Sequence, residues 1–156
     1  MNRTRTASIM CVTALCCSLL TLRGHAAAED ADLRAALVGT WKMKSMKVNG
    51  TARDLPETAV TYKHVTPAGF TWLSYEKETG KVFRVAGGTY TLNGDAYAEQ
   101  IEYGNGRDFD LVKNAAHAFK CRIDADTWHH TGRLASGTTI DEEWTRVKPS
   151  DAPKRP

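Results

Sequence analysis

Apolar and polar residues alternate along most of the chain, from residue 40 to residue 147. Alternation with a period of two is typical of β-strands that bury one face. Pairs such as Asn49-Gly50 and Asn93-Gly94 separate the alternating stretches, and these pairs are typical of tight hairpin turns. The pattern therefore predicts about eight strands, over residues 40–48, 60–66, 70–75, 81–92, 96–103, 116–123, 127–134 and 138–147.

Two of the predicted strands are irregular. Trp41 and Met43 share one face of the first strand, whereas Met46 and Val48 share the other, so the alternation slips near residues 44–45. Such a slip predicts a β-bulge. Gly87-Gly88 interrupts the fourth predicted strand, and we interpret this pair as a kink within one bent strand.

Strands that follow one another through short turns favour an all-β fold. Because a closed sheet has no exposed edge, we predict a single antiparallel up-and-down β-barrel of about eight strands. Before the first strand, Leu33, Leu37 and Val38 have helical spacing. A helix this short is stable only when packed, so we expect a short N-terminal helix that closes one end of the barrel. Residues 104–115 are the least regular part and predict a lid loop or a short edge.

The N-terminal part has the pattern of a cleaved secretory signal peptide. Arg3 and Arg5 precede an apolar run over residues 9–22, which is too short to span a bilayer comfortably. We place the cut near Ala28, with Ala27 as a near alternative; a retained membrane anchor is the competing interpretation. The expected organisation is a signal peptide (1–28), a barrel domain (29–148) and a disordered tail (149–156), in a secreted or periplasmic protein.

Removing the leader changes the charge and the cysteine content. The whole chain has 21 Lys and Arg against 18 Asp and Glu. Three of the basic residues lie in the leader, so the mature chain is formally neutral and nucleic acid is not an expected partner. Three of the 4 cysteines also lie there, which leaves Cys121 without a disulfide partner in the mature chain. We expect no membrane span, no cofactor, and a monomer or weak dimer.

Gly39-Thr40-Trp41 opens the first strand after the short helix, and Arg146 stands on the last strand. In these features the chain resembles the lipocalin-like (calycin) barrels and, more narrowly, uncharacterised secreted bacterial lipocalin-like domains. The resemblance implies that Arg146 packs across the Trp41 ring, so that Gly39, Trp41 and Arg146 form a structural clasp. It implies no particular ligand, because the chain is short and lacks both a long helix after the barrel and a disulfide. Further stretches that carry the resemblance are 63–67, 70–72, 87–92 and 128–144.

Several polar side chains are predicted to face the barrel interior. A buried carboxylate is unfavourable by several kcal/mol unless it is paired, so Glu99 and Glu142 each need a cation, a hydroxyl or a ligand. One interpretation makes the inward polar and aromatic residues the points that orient a guest. The other pairs Glu142 with Arg84, Arg146 or a Tyr hydroxyl in a filled barrel. The candidate ligand-binding residues are Tyr62, His64, Trp72, Glu99, Tyr103, His130 and Glu142.

Three classes of function remain open at this point. The leading hypothesis is a lipocalin-like protein that binds a small, mainly apolar or amphipathic molecule. A second is an enzyme or a metal- or haem-binding protein that uses His64, His117 or His130 with Glu99 or Glu142, although the sequence has no nucleophile elbow, phosphate loop or dinucleotide fingerprint. The third is a ligand-free barrel that acts as a protein-interaction module. Cys121 is expected to be an inert core thiol.

Overall fold

The computed structural model describes residues 31–106 and 109–151. The predicted signal peptide, 1–28, and the last part of the predicted tail, 152–156, lie outside the described residues. Residues 31–37 are helical and are called α1 here. None of the helices in the described part of the chain is long and apolar enough to cross a membrane.

Strands make up most of what the structure describes. Apart from the two-residue β2, each strand begins and ends close to the bounds of a predicted strand. The irregular stretch over 104–115 contains one short helix, α2 (Phe109–Val112). Pro149–Asp151 forms a single 3-10 turn. The strands are β1 (Gly39–Val48), β2 (Thr51–Ala52), β3 (Ala59–Val65), β4 (Phe70–Glu76), β5 (Val82–Asn93), β6 (Ala96–Asn105), β7 (Ala116–Asp124), β8 (Thr127–Arg133) and β9 (Thr139–Arg146).

The sheet closes on itself. From β3 to β9 each strand pairs antiparallel with the next in sequence, β1 pairs with β3, and β9 returns to pair with β1. Eight strands therefore form the barrel, and the two-residue β2 is an additional strand that pairs only with the end of β1. The predicted up-and-down barrel of about eight strands is confirmed.

Both predicted irregularities are present. The register between β1 and β9 shifts between Met43 and Ser45, which is the predicted bulge. Gly87 and Gly88 lie inside one continuous strand, β5, at a register shift against β6. A Cβ atom on Gly88 would collide with the backbone carbonyl oxygen of Gln100, so the close approach of β6 requires glycine here.

One end of the barrel, called the closed end, is covered by α1. The guanidinium of Arg146 lies 4.1 Å from the centre of the Trp41 ring. It donates hydrogen bonds to the carbonyl oxygens of Val38 and Ala36, and the Trp41 indole donates to the Leu37 carbonyl oxygen at 2.8 Å. Gly39 has φ +146°, and a Cβ there would lie 2.7 Å from Arg146 Nη1. The first strand, the last strand and α1 are thus tied together at one point.

The opposite end, called the open end, carries the turn at 49–50, α2 and the turn at 134–138. Apolar side chains fill the closed half of the barrel, where Leu37, Trp41 and Trp128 are fully buried. At the open end Ile140 is buried, but several other apolar side chains are only partly buried and pack against this core. These open-end side chains are Met46, Val48, Phe109, Val112 and Leu134.

We expect Trp41→Ala to lower the free energy of unfolding by about 3–5 kcal/mol, the range for large buried aromatic side chains. The Trp41 side chain is fully buried, and its removal also leaves the Arg146 guanidinium without the aromatic ring that it packs against. Chemical denaturation measures the change, and Phe83→Ala is the control because Phe83 is 41% exposed. Equal stabilities of Trp41→Ala and the parent would contradict this account of the closed end.

Candidate functional site

Strand β3 brings a lysine into the barrel interior. Lys63 and Val65 are buried, whereas His64 between them is exposed, so the odd-numbered positions of this strand face inward. The Lys63 side chain is 2% exposed. Its ammonium group lies 5.0–5.9 Å from the centres of four aromatic rings, an arrangement in which ring quadrupoles stabilise a cation. These rings belong to Phe70, Tyr97, Trp128 and Trp144.

The ammonium of Lys63 forms an ion pair with Glu99 on β6. Both side chains are almost completely buried, at 2% and 6% exposure. A single charge at this depth would be strongly unfavourable, so each group depends on the other. The Glu99 carboxylate also lies 3.9 Å from Nε2 of His130 on β8.

His130 continues the polar contacts to the neighbouring strand β9. Its Nδ1 lies 2.9 Å from Oε2 of Glu142, and the same oxygen accepts a hydrogen bond from the Trp144 indole at 3.1 Å. Burial by itself raises the pKa of Glu142. The hydrogen bond and charge of His130 together with the charge of Lys63 outweigh burial, so the pKa lies below 4.5. Lys63, Glu99, His130 and Glu142 are called the central polar cluster below.

Three buried polar atoms beside this cluster have no hydrogen-bond partner within the described part of the chain. Their rings pack against one another, with centroids 5.1–5.8 Å apart. Burial, followed by the charge of the Glu99 carboxylate and a hydrogen-bonding interaction with it, raises the pKa of Tyr97, although the two groups do not form a hydrogen bond of normal geometry. Burial raises the pKa of the Cys121 thiol, and a weak hydrogen bond from the Trp128 indole toward its sulfur lowers that pKa in part. Because sulfur is a weak acceptor, the indole N–H still lacks a hydrogen bond of normal strength. The atoms are the Tyr97 hydroxyl, Trp128 Nε1 and His130 Nε2.

Of the seven predicted site residues, the structure brings Glu99, His130 and Glu142 together at the barrel centre. Trp72 is half-buried on β4, opposite Lys63, and packs against the core. Glu99 meets a cation, as its burial required, but Glu142 pairs with His130 rather than with Arg84, Arg146 or a Tyr hydroxyl. Whether these residues contact a ligand stays a prediction.

The predicted interior positions of Tyr62, His64 and Tyr103 are wrong. Tyr62 and His64 alternate with the inward Lys63, so they lie on the outer face, where Tyr62 stacks on Tyr75 with ring centres 6.2 Å apart. Tyr103 follows a register shift in β6 that reverses the alternation after Ile101. It is 48% exposed, and its hydroxyl lies 2.5 Å from Thr71 Oγ1.

The three histidines of the metal hypothesis do not meet. His64 is exposed on the outer face, and Nε2 of His117 lies 2.7 Å from the Val112 carbonyl oxygen. The Ala135 amide donates to the other ring nitrogen of His117 at 3.1 Å. No group of three or more His, Cys, Asp or Glu within residues 31–106 and 109–151 is arranged to hold a metal ion. Burial raises the pKa of the Cys121 thiol to about 11, which makes it a poor nucleophile.

Sequence reasoning missed Lys63, the residue on which the site depends. Apolar and aromatic side chains occur on both faces of β3, so its alternation favours neither face. The prediction placed Tyr62 and His64 inside, which put the intervening Lys63 outside, where lysine usually lies. The available signal was the requirement of buried Glu99 for a cation, for which Lys63 is the observed answer.

A surface depression of about 360 Å³ lies around Gly132. Ala118 and Lys120, which line it, are exposed residues that alternate with the buried Phe119 and Cys121. The depression therefore belongs to the outer face of the barrel and is separate from the central polar cluster.

Comparison with known families identifies the fold. The family model described as "Lipocalin-like domain" matches residues 37–114, which is half of the chain. The chain belongs to the lipocalin-like family. The match includes β1 and both members of the Lys63–Glu99 pair, so the central pair lies inside the shared domain. No curated protein matches the chain in sequence.

Two solved structures have the same fold as this lipocalin-like barrel. A lipocalin-like protein from Bacteroides uniformis has a TM-score of 0.52 at 14% identity, over 71% of this chain and 98% of that one. An uncharacterized protein from Bacteroides eggerthii has a TM-score of 0.50 at 12% identity, over 70% and 98% of the two chains. At these identities the likeness extends to the fold alone.

We expect Lys63→Met to lower the free energy of unfolding of the lipocalin-like barrel by about 3–5 kcal/mol, because Glu99 would remain charged and buried without its partner. Lys63→Met combined with Glu99→Gln should recover most of that loss, because both charges are then removed. Urea denaturation of the two variants and the parent measures the difference. A double variant less stable than Lys63→Met alone would show that the pair is not coupled.

The lowered pKa of Glu142 predicts how stability depends on pH. The carboxylate is more acidic in the folded state than in the unfolded chain, so its contribution is complete above the unfolded value near 4.5 and is lost as pH falls through the folded value. Glu142→Gln should therefore flatten the fall in stability below pH 4.5. Denaturation curves across this pH range test the prediction, with the exposed Glu78→Gln as the control. Parallel curves for Glu142→Gln and the parent would contradict it.

Proposed function

We propose that this lipocalin-like protein is exported and binds a small, mainly apolar or amphipathic molecule inside the barrel. The observation that carries the proposal is the arrangement along the barrel axis. A buried polar cluster lies beneath an open end at which several apolar side chains are only partly buried. A guest with one polar end and an apolar body fits this arrangement, with its polar end at the cluster and its apolar body at the open end.

The open end supplies apolar contact area. Met46 and Val48 on β1, and Phe109 and Val112 on α2, retain exposed apolar surface. Removing such surface from water is favourable by about 25 cal/mol per Å². Methionine is flexible and polarizable, and it adapts to guests of different shape. This end therefore supports binding of an apolar body without strict selection of its shape.

The central polar cluster supplies orientation. Ligand sites are commonly lined by apolar side chains with a few polar groups that fix the direction of the guest. Here the polar groups are held by ion pairs and by neighbouring rings, as in the 3.9 Å approach of the Phe119 and His130 ring centres. Their positions are therefore set before a guest arrives, which lowers the entropic cost of binding.

Export follows from the N-terminal sequence. Arg3 and Arg5, the apolar run over residues 9–22 and the small residues before Glu29 form the pattern of a secretory leader. A carrier of apolar molecules outside the cytoplasm has a clear use, because such molecules have low solubility in the aqueous space that it occupies.

Protein purified from its own host without denaturation should release a small amphipathic molecule, detected by mass spectrometry. The intact mass of the protein should correspond to a chain that begins at Glu29. Recombinant mature protein should bind the neutral dye Nile red. Met46→Lys places a charge among the open-end apolar side chains and should weaken dye binding at least about tenfold, which corresponds to 1.4 kcal/mol.

The matched control is Val82→Lys, because Val82 is 45% exposed and pairs with Tyr75 on the outer face of the barrel. It should leave dye binding unchanged. The absence of both a co-purified molecule and dye binding would overturn the proposed binding function. An exported form that retains residues 1–28 would overturn the proposed cleavage alone.

A further inference from the structure

We propose that the polar end of the guest is an uncharged hydroxyl group, and that the barrel prefers an alcohol to a carboxylate or an amine of the same chain length. The inference rests on the proposed binding function and goes further by naming the chemical class of the ligand. It is carried by the charges of the central polar cluster and by the three unpartnered atoms beside it.

Each carboxylate of the cluster already has a partner. Lys63 is paired with Glu99, and Glu142 is paired with His130. With His130 protonated the cluster has no net charge, and with His130 neutral it has one net negative charge. A guest carboxylate adds a further negative charge in a place with almost no access to water, where unbalanced charge is strongly unfavourable. The ammonium that could attract a carboxylate is occupied by Glu99.

The hydrogen-bonding capacity of the unpartnered atoms fits a hydroxyl. The Trp128 indole can only donate, so it needs an oxygen lone pair. Nδ1 of His130 donates to Glu142, so Nε2 is an acceptor when the ring is neutral and a donor when it is protonated. The Tyr97 hydroxyl can do either. One hydroxyl group has a donor and two acceptor lone pairs, and so can serve both kinds of atom.

An ammonium and a carboxylate each lack a property that the cluster requires of a guest. An ammonium group has three donors and no acceptor, so it cannot satisfy the Trp128 indole, and it would repel the ammonium of Lys63. A carboxylate has acceptors but no donor for Nε2 of a neutral His130, and its negative charge is unfavourable in either form of the ring. All three unpartnered side chains are at most 1% exposed, so solvent cannot supply what a guest lacks without itself entering the core.

The test compares 1-decanol, decanoate and decylamine at pH 7 as competitors of Nile red on the mature protein, with the alcohol below its solubility limit and the two charged compounds below their critical micelle concentrations. 1-Decanol should bind at least about tenfold more tightly than either charged compound. Tyr97→Phe should weaken decanol binding by about twofold to thirteenfold, the range for one hydrogen bond of about 0.5–1.5 kcal/mol, and should leave decanoate binding unchanged.

The matched control is Tyr103→Phe, which removes a hydroxyl from the outer face and should leave all three affinities unchanged. Tyr97→Phe keeps the ring that packs against Trp128 and His130 and removes a hydroxyl that lacks a hydrogen bond of normal geometry, so it should melt close to the parent temperature. Its binding result therefore does not reflect loss of the fold.

Equal or tighter binding of decanoate or decylamine would overturn the inference while leaving the proposed binding function in place. So would Nile red binding that none of the three compounds displaces, or equal decanol binding by Tyr97→Phe and the parent. Failure of Nile red and of all three compounds to bind would instead overturn the proposed function on which the inference rests.

Discussion

A pair of charges in a nearly water-free core governs this structure. Lys63 and Glu99 come from strands far apart in sequence, and neither charge is tolerable at this depth without the other. The rings around the ammonium and the second pair, His130 with Glu142, are arranged around this contact. The register of β3 is set by it as well, because a shift of one residue would move Lys63 to the outer face.

The two ends of the barrel have different tasks. The clasp of Gly39, Trp41 and Arg146 joins the first and last strands to α1 and leaves little room for adaptation. The open end consists of partly buried, flexible side chains on β1 and α2. The central polar cluster separates these two regions, so that changes at the open end need not disturb the closure of the barrel.

The fold could be predicted from sequence because it depends on local signals. Turn pairs such as Asn93-Gly94 delimit the strands, and the alternation of Trp41 and Met43 against Met46 and Val48 locates the bulge. Part of the candidate site followed from the same alternation, which placed Glu99, His130 and Glu142 inside. Lys63 could not be predicted in this way, because its position depends on a partner from another strand. Tyr103 was misplaced because nothing in its own strand marks the register shift after Ile101.

Three of the 4 tryptophans of the chain form one cluster at the closed half. The Trp41 and Trp128 ring centres are 5.6 Å apart, and those of Trp128 and Trp144 are 6.1 Å apart. Near-ultraviolet circular dichroism depends on fixed aromatic packing, so the cluster gives the protein its own optical reporter of closed-end order. Trp72 stands apart on β4 as the remaining indole. When Trp72 is replaced, a change in the indole signal on adding a guest can therefore be assigned to the three clustered tryptophans in the closed half.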